Sequence, residues 1–370
     1  MTKVLTRQGK LKQVERNGTV MSHDLDDSVY KNGSLKEGKT EEVHRYSMLL
    51  REDQIPQAFR TEFLTTRYRP RNLTALDSVK SVFYANNETV NFWSHVLSAV
   101  ILIARYCSVV WNHNPFTDHF YFPLMSYTLG CCIMYTMSCV AHMFSSMTEL
   151  QNHIGYYLDY AAISVYTFTN GQAFYFYCHP LGSGLLLFDW RELFLFVSAL
   201  ISFSATFNCC KSRHQWFDLR FIVRTGFYIL SWLHNCSPYF VRLFVCSSDP
   251  ACNPDSLGLF VGCLISFAAA ALMNMTRIPE RFVPGFFDFI GQSHNFLHVL
   301  TTTGDHFAFS VLLSDLSARK EFLVTEHTPS FFETIGLTLL VLVGNLAIVL
   351  WFARSLISNS SGKIGHDKST

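Results

Sequence analysis

Two histidines spaced four residues apart, His294 and His298, begin an apolar run in the C-terminal part of the chain. Side chains at this spacing share one face of a helix. Ser138 and His142 have the same spacing at the end of another apolar run, and Asp159 lies at the start of a third. Three neutral imidazoles suit Zn²⁺ and leave a fourth position for water. The residues therefore predict a three-histidine metal site with Asp159 beside it, as a ligand, as the group that holds a water, or as the partner that orients a ligand.

The composition favours a membrane protein. The 370 residues are 49% hydrophobic and 15% charged, which is too apolar for an ordinary soluble domain of this size. The formal net charge of +1 gives no reason to expect a nucleic-acid partner. The cysteines form no CxxC pair, so we interpret most of them as small buried side chains. The first twenty residues lack the apolar core of a signal peptide, and we expect the first membrane span to direct targeting.

Apolar runs recur along the chain at a length of about 18–25 residues, which is enough to cross roughly 30 Å of hydrocarbon. A segment inside lipid must satisfy its own backbone hydrogen bonds, so these runs are expected to be helices. The sequence predicts an all-α integral membrane protein, in which a seven-helix bundle is followed by an eighth, C-terminal transmembrane helix. The predicted spans lie near 92–111, 122–144, 157–178, 191–209, 221–245, 257–275, 293–314 and 333–353.

Four segments follow from this pattern. Residues 1–75 are polar and lack periodicity, so we expect a cytosolic N-terminal tail that is largely disordered. Residues 76–315 form the predicted seven-helix domain. Residues 316–353 contain a linker and the eighth span, and residues 354–370 form a cytosolic C-terminal tail.

The orientation is predicted from basic residues, which concentrate in short cytosolic loops. The side opposite to the N-terminal tail offers only Arg319 and Lys320, with Arg191 at a boundary. The bias predicts that the N-terminus is cytosolic and that all the candidate metal-site residues lie at the cytosolic end. The basic residues on the side of the N-terminal tail are Arg67, Arg69, Arg71, Lys80, Lys211, Arg213, Arg277, Arg281 and Arg354.

Arg105 lies inside the first predicted span, about six residues from its outer end. A charge at that depth is a functional candidate by default, here as a contact for a polar group of a ligand. The alternative is that its long side chain reaches the outer interface.

The sequence also predicts roles for several residues near the outer ends of the spans. Cys246 and Cys252 flank a short loop and could form a disulfide or remain free thiols. Arg242 is expected at the membrane interface. The aromatic residues 174–177 are expected to face lipid as an aromatic belt, with the lining of a cavity as the alternative.

Other polar residues near the candidate site are given structural roles. Glu88 and Thr89 are expected to cap the first long helix. His95 is expected to pack or form a hydrogen bond rather than bind a metal. The charged residues and prolines of 277–284 predict a rigid elbow that orients His294.

Four segments resemble signatures of the progestin and adipoQ receptor family. They are NNETVNFWSH at 86–95, SCVAHMFSSM at 138–147, LDYAAISVY at 158–166 and RIPERFVPGFFDFIGQSHNFLHVL at 277–300. They occur in the family's order. The SSM after the histidine, the form of the LDYAAISVYT segment and the eighth span are closest to the membrane progestin receptor branch. Asn86 departs from the family, many of whose members have His there.

The resemblance implies seven helices around a cavity, with the N-terminus in the cytosol. It implies zinc bound by His142, His294 and His298, with Asp159 acting through water. It also implies that Ser138 belongs to the motif.

Two functions are expected, and they are not mutually exclusive. The first, which the branch resemblance favours, is a receptor for a lipophilic, steroid-like ligand that is read by a cytosolic signalling partner. Arg105 is then a candidate ligand contact, because similar sequences often carry a basic residue there. The second is a zinc-dependent intramembrane lipid amide hydrolase acting on a sphingolipid, which resembles alkaline ceramidases. In that case Asp159 would be the general base and Ser138 would assist it. We expect the plasma membrane as location, with an internal membrane as the alternative.

Overall fold

Helices form nearly all the regular structure in a computed structural model that describes residues 49–215, 219–246 and 251–366. The exceptions in this part of the chain are short turns and an isolated bridge between Leu50 and Tyr68. The helices are α1 (Ala75–Ser81), α2 (Thr89–Val110), α3 (Phe122–Phe144), α4 (Glu149–Cys178), α5 (Leu186–Asp189), α6 (Arg191–Lys211), α7 (Arg220–Val245), α8 (Leu257–Thr276), α9 (Ser293–Glu326) and α10 (Leu337–His366).

The prediction of a helical, multi-pass membrane protein is confirmed. Five helical stretches are long and apolar enough to cross a bilayer: Thr89–Val110, His119–Phe144, Arg191–Lys211, Pro254–Thr276 and Phe332–Ser358. Helices α4, α7 and α9 contain most or all of the other three predicted spans and carry more polar side chains, many of which are buried. Buried polar groups in a membrane helix face the interior of a bundle or a cavity.

Helix α4 is the centre of the helical bundle, since it packs against α3, α6, α7, α9 and α10. Contacts between neighbours then connect α3 to α2, α2 to α9, α9 to α8, and α8 to α7. Leu97 and Val100 of α2 are 61% and 60% exposed, as expected of side chains that face lipid. The interior of the bundle is rich in buried aromatic rings, among them Tyr127, Phe174, Tyr177, Phe260 and Phe309.

The expected aromatic belt at residues 174–177 is wrong, because all four rings are buried within the protein. They lie on α4, whose position at the centre of the bundle leaves them no lipid-facing side. Near the same end of the bundle, Cys246 and Cys252 form a disulfide.

Arg242 and Arg319 also differ from expectation. Arg242 is not interfacial but 1% exposed, and it pairs with the buried carboxylate of Asp315. Helix α9 continues to Glu326, so Arg319 lies within a helix rather than in a loop and is fully buried. A buried charge is tolerated when its hydrogen bonds are met. Arg319 donates to the carbonyl oxygens of Tyr177, His179 and Ala251.

Residues 49–74 form a folded segment, so the expectation of a tail without structure does not hold for them. Ile55, Leu64 and Tyr68 are buried in a small apolar cluster of their own. The Tyr68 hydroxyl donates a hydrogen bond to the carbonyl oxygen of Leu64 at 3.0 Å. The rest of the predicted tail, residues 1–48, lies outside the described residues.

Candidate metal centre and cavity

The three predicted histidine ligands meet at one end of the bundle. His142 lies in the last turn of α3, and His294 and His298 lie in the first turns of α9. The Nε2 atom of His294 is 3.3 Å from Nε2 of His142 and 3.2 Å from Nε2 of His298. Tetrahedral zinc with Zn–N bonds of about 2.0–2.1 Å places neighbouring nitrogens about 3.4 Å apart. The three side chains could therefore hold a metal ion.

Two of the three histidines have a hydrogen-bond acceptor at their second ring nitrogen. Nδ1 of His142 lies 2.7 Å from a carboxylate oxygen of Glu88, and Nδ1 of His298 lies 3.1 Å from the carbonyl oxygen of Asn91. An acceptor at Nδ1 keeps the proton on that nitrogen, so that Nε2 presents its lone pair. The surroundings thus orient at least two of the three rings as metal ligands require.

Glu88 has a different role from the one predicted. It occupies the N-cap position of α2, but its side chain accepts no capping hydrogen bond there. Its carboxylate binds His142 and accepts a hydrogen bond from the Asn91 amide at 2.8 Å. Burial alone would raise the pKa of Glu88, but His142 and then Arg69 outweigh burial and lower the pKa to about 2. The ionised carboxylate is a strong acceptor for an imidazole N–H.

Two arginines of the folded segment hold the end of α3. The Arg69 guanidinium donates to the carbonyl oxygens of His142 at 2.6 Å and Met143 at 2.9 Å. Arg71 donates to the carbonyl oxygens of Ser145 and Met147, both at 2.6 Å. The last carbonyls of a helix lack partners within the helix, and cationic donors satisfy them. These contacts fix the turn that carries His142.

The expected elbow at 277–284 holds the start of α9 through Glu280. The carboxylate of Glu280, which is 1% exposed, accepts hydrogen bonds from the Ser293 backbone N–H at 2.7 Å and from the Ser293 hydroxyl. A carboxylate at this position accepts a hydrogen bond from a free N–H group and interacts favourably with the positive end of the helix dipole. Asp288, further along the connection, accepts from the backbone N–H and hydroxyl of Thr66, both at 2.6 Å. The residue that follows Ser293 is His294.

Asp159 and Ser138 lie beside the cluster. Both line the cavity that the three histidines line, and both are buried. The Asp159 carboxylate is not among the groups that lie within 4.8 Å of one another at the cluster. Its Oδ1 atom has no hydrogen-bond partner among the described residues. An unpartnered buried carboxylate oxygen is costly unless another group binds it.

His95 packs against the histidine cluster, which is one of the two roles expected of it. Its ring stacks on that of His298 with 3.9 Å between centroids. Neither of its ring nitrogens has a hydrogen-bond partner among the described residues.

The cavity has a volume of about 790 Å³, within the range of small-molecule sites. One side is a stripe of α9 residues that begins at His294 and ends at Asp305. Another side is a stripe of α4 residues that begins at Glu149, passes Asp159 and ends at Asn170. The space between them reaches from the folded segment, whose residues 55–71 contribute to the lining, past the histidine cluster and into the interior of the bundle. Further lining residues come from α3, α7 and α8.

Arg105 does not line this cavity. Its guanidinium donates to the His306 carbonyl oxygen at 2.9 Å and to the Ser310 hydroxyl at 2.7 Å, and it lies 4.6 Å from the centre of the Phe309 ring. These contacts connect α2 to α9 and use hydrogen-bond donors of the Arg105 guanidinium.

Asp305 is the cavity residue that the sequence reasoning missed. It is fully buried, and its carboxylate accepts hydrogen bonds from the hydroxyls of Tyr135, at 2.6 Å, and Tyr166. The signal was available, because an acidic residue follows His298 by seven positions inside a predicted span. That spacing places it two turns further along the same helix face.

Comparisons with known proteins agree with this architecture. A family model described as Haemolysin-III related matches residues 83–309, which include all three histidines. The chain is 33% identical to membrane progestin receptor delta of Mus musculus, over 84% of this chain and 91% of that one. It is 28% identical to membrane progestin receptor gamma of Homo sapiens, over 82% and 92% of the two chains. It is 25% identical to membrane progestin receptor beta of Sus scrofa, over 75% and 79%.

Proposed function

The chain belongs to the Haemolysin-III related family, that of the progestin and adipoQ receptors, and we propose that it is a receptor for a lipophilic, steroid-like ligand. The observation that carries this proposal is the cavity of about 790 Å³, which the histidine cluster lines and which continues into the bundle. A largely apolar pocket with a few polar groups is the usual form of a small-molecule site. The relatives named as membrane progestin receptors support a steroid as the chemical class.

The proposal includes a zinc ion at the histidine cluster. His142, His294 and His298 would hold it, and the spacing of their Nε2 atoms supports this choice. The free Oδ1 atom of Asp159 supports a contact made through water. Bound zinc supplies a Lewis acid and lowers the pKa of an associated water. In a receptor, its main consequence would be to join the end of α3 to the start of α9.

We place the cluster at the cytosolic face, with eight membrane crossings and both termini in the cytosol. The concentration of basic residues at this end supports that orientation. The plasma membrane is the proposed location, because it exposes the outer leaflet to ligands from outside the cell.

The helices that line the cavity would transmit the effect of ligand binding to the cytosolic end of the bundle. Helices α4 and α9 extend from the cavity interior to the end that carries Asp159 and His294. A ligand that fits one arrangement of these helices better than another shifts the population toward it. A cytosolic partner that recognises this end of the bundle would then respond to the ligand.

One observation favours an alternative function. Asp159, with its unpartnered oxygen, and Ser138 both lie beside a cluster that offers three protein ligands, as in catalytic zinc sites. In a lipid amide hydrolase, Asp159 would accept a proton from water, and Ser138 would form a hydrogen bond with the substrate. A sphingolipid amide is the substrate class of this alternative.

Both functions are tested on purified full-length protein in lipid nanodiscs, with a tritiated progestin and with a fluorescent ceramide. We expect saturable progestin binding and no release of fatty acid. The hydrolase proposal would be correct and the receptor proposal wrong if two results were found together. The wild type would hydrolyse ceramide in a reaction that Asp159→Asn abolishes, and it would show no saturable progestin binding. Asp159→Asn is expected to retain its zinc, because the carboxylate is not within ligand distance of the cluster.

A further inference from the structure

Arginines are concentrated in the wall of the cavity near the end of the bundle that carries the histidine cluster. Seven of the residues that line the cavity are arginines, and five are acidic. Three of the arginines lie at the start of α7 and just after the end of α8: Arg220, Arg224 and Arg277. None of these three forms an ion pair with a carboxylate among the described residues. A partly buried charge without a counter-ion is unfavourable, so this part of the wall attracts an anion.

Arg277 has the least support from the protein. It is partly buried, and its guanidinium has no hydrogen-bond partner among the described residues. Burial lowers the pKa of Arg277 and Arg220 adds to this effect, although Glu62 and Glu280 oppose it from beyond ion-pair distance. Its backbone is left-handed, with a φ of 56°, at the end of α8, where glycine is the usual residue. Costs of this kind are typical of a residue that is retained for a ligand.

Arg220 and Arg224 direct their guanidinium groups to the same part of the wall. They are four residues apart on α7 and therefore share one face of the helix. The guanidinium carbons of Arg220 and Arg277 lie 5.2 Å and 4.4 Å from the centre of the Phe221 ring. Arg224 donates from Nε to the Ser212 hydroxyl at 2.8 Å, and its two terminal nitrogens have no partner among the described residues. The terminal N–H groups of all three arginines are thus available to an anion between α7 and the end of α8.

A phosphate group matches this arrangement. Its oxygens accept the paired N–H groups of a guanidinium in charge-assisted hydrogen bonds. Lipid reaches this level of the molecule, because Ile222 and Met275, each two residues away from one of the arginines, are 69% and 52% exposed. Neither of these two side chains lines the cavity. A phospholipid in the adjoining leaflet can therefore bring its headgroup to the arginines while its acyl chains lie along the exposed faces of α7 and α8.

We propose that Arg220, Arg224 and Arg277 form a binding site for the phosphate headgroup of an anionic phospholipid. The site is separate from the histidine cluster and from the interior of the cavity, and it does not depend on the receptor proposal. A bound headgroup joins the start of α7 to the elbow at 277–284, whose Glu280 holds the start of α9.

The test titrates purified full-length protein in detergent with dioleoyl phosphatidic acid and, separately, with dioleoyl phosphatidylcholine. Native mass spectrometry measures the lipid bound at each concentration. We expect the wild type to bind one phosphatidic acid at least about tenfold more tightly than phosphatidylcholine, as charge-assisted hydrogen bonds supply. Equal affinity of the wild type for the two lipids would overturn the site.

Two substitutions locate the site. Arg220→Gln and Arg277→Gln should each weaken binding of phosphatidic acid about tenfold and leave binding of phosphatidylcholine unchanged. Neither change removes a side-chain hydrogen bond to a described residue, so both variants are expected to fold. Wild-type affinity for phosphatidic acid in both variants would show that these arginines do not bind the headgroup.

Arg281→Gln is the matched control. Arg281 lies four residues after Arg277 in the same elbow, is exposed and does not line the cavity. It should retain the wild-type affinity for phosphatidic acid. A loss in Arg281→Gln as large as that in Arg277→Gln would indicate only a general attraction of anionic lipid to basic residues, and the proposed site would be wrong.

A competition arm distinguishes a lipid headgroup from free phosphate. Excess inorganic phosphate should displace no more phosphatidic acid from the wild type than sodium chloride of the same ionic strength does, because a free ion lacks the acyl chains that contact the helices. If inorganic phosphate displaces the lipid and sodium chloride does not, the arginines bind a soluble phosphate, and the assignment of a phospholipid is wrong.

Discussion

At the residue scale, the candidate metal centre depends on which nitrogen of each imidazole is free. Glu88 and the Asn91 carbonyl lie at Nδ1 of His142 and His298, so Nε2 is the nitrogen that points into the cluster. The ligand set and its orienting partners thus form one network. It includes Asn295, whose amide donates to the Asn91 side chain at 2.7 Å.

Glu88→Gln is expected to weaken zinc binding tenfold to a hundredfold, because the amide orients and polarises His142 less well than the carboxylate does. A competition titration of purified protein with a fluorescent zinc chelator measures this. Glu149→Gln is the matched control, since Glu149 lies on the same end of the molecule with its side chain 70% exposed. Equal zinc affinity in Glu88→Gln and wild type would show that Glu88 has no part in the site.

The sequence identified some of these residues and missed others for a physical reason. His142, His294 and His298 were predictable because regular spacing and a common membrane depth are properties of the sequence itself. Glu88 was taken for a helix cap because a capping role requires only its own helix. Its real partner lies 54 residues away, and a contact of that kind depends on how two helices pack.

At the element scale, the cluster forms where the end of α3 meets the start of α9. Each helix terminus is held by charged residues from another part of the chain, Arg69 for α3 and Glu280 for α9. Terminal carbonyl and N–H groups need such partners when they are buried. The position of the histidines is therefore a consequence of capping as well as of helix packing.

Glu280→Gln should lower the free energy of unfolding by about 1–2 kcal/mol, because the charged cap of α9 becomes neutral. It should also lower zinc affinity, since Ser293 and His294 are adjacent. Thermal unfolding in detergent and chelator competition measure the two effects. In the matched control Glu192→Gln, in the first turn of α6, the side chain is 77% exposed and little change is expected. A Glu280→Gln protein with wild-type stability would contradict the capping role.

Hydropathy located the helices but not their ends. Helix α4 begins at Glu149 rather than near residue 157, because Thr148 and Gln151 form a capping box ahead of the apolar run. Helix α9 continues to Glu326 rather than ending near residue 314, because Asp315 and Arg319 are buried by partners on other segments. The length of an apolar run indicates how much of a helix contacts lipid, whereas hydrogen bonding determines where the helix begins and ends.

At the scale of the whole molecule, the polar helices α4 and α9 bury charged side chains such as Asp159, Asp305 and Asp315. The apolar helix α2 exposes several of its apolar side chains. This division follows from the bilayer, which tolerates polar side chains where they have partners or line a cavity. The general architecture was accordingly predictable from composition. The fold of residues 49–74 was not, since it depends on contacts such as that of Thr66 with Asp288.

Both termini are expected on the cytosolic side. Epitope tags at the N-terminus and at the C-terminus should bind antibody only after the plasma membrane is permeabilised, because basic residues concentrate at that end. A tag inserted after Gly182, between α4 and α5, should bind antibody on intact cells. A terminal tag that is accessible on intact cells would reverse the orientation or change the number of crossings.

Metal analysis of purified protein tests the central claim most directly. By mass spectrometry of metal content, we expect one zinc per chain in the wild type and close to none in His142→Ala, His294→Ala and His298→Ala. His119→Ala, which removes an exposed histidine before α3, should retain the wild-type stoichiometry. Zinc-free wild type, or full zinc content in the variants of the three cluster histidines, would contradict the assignment of this cluster as a zinc centre.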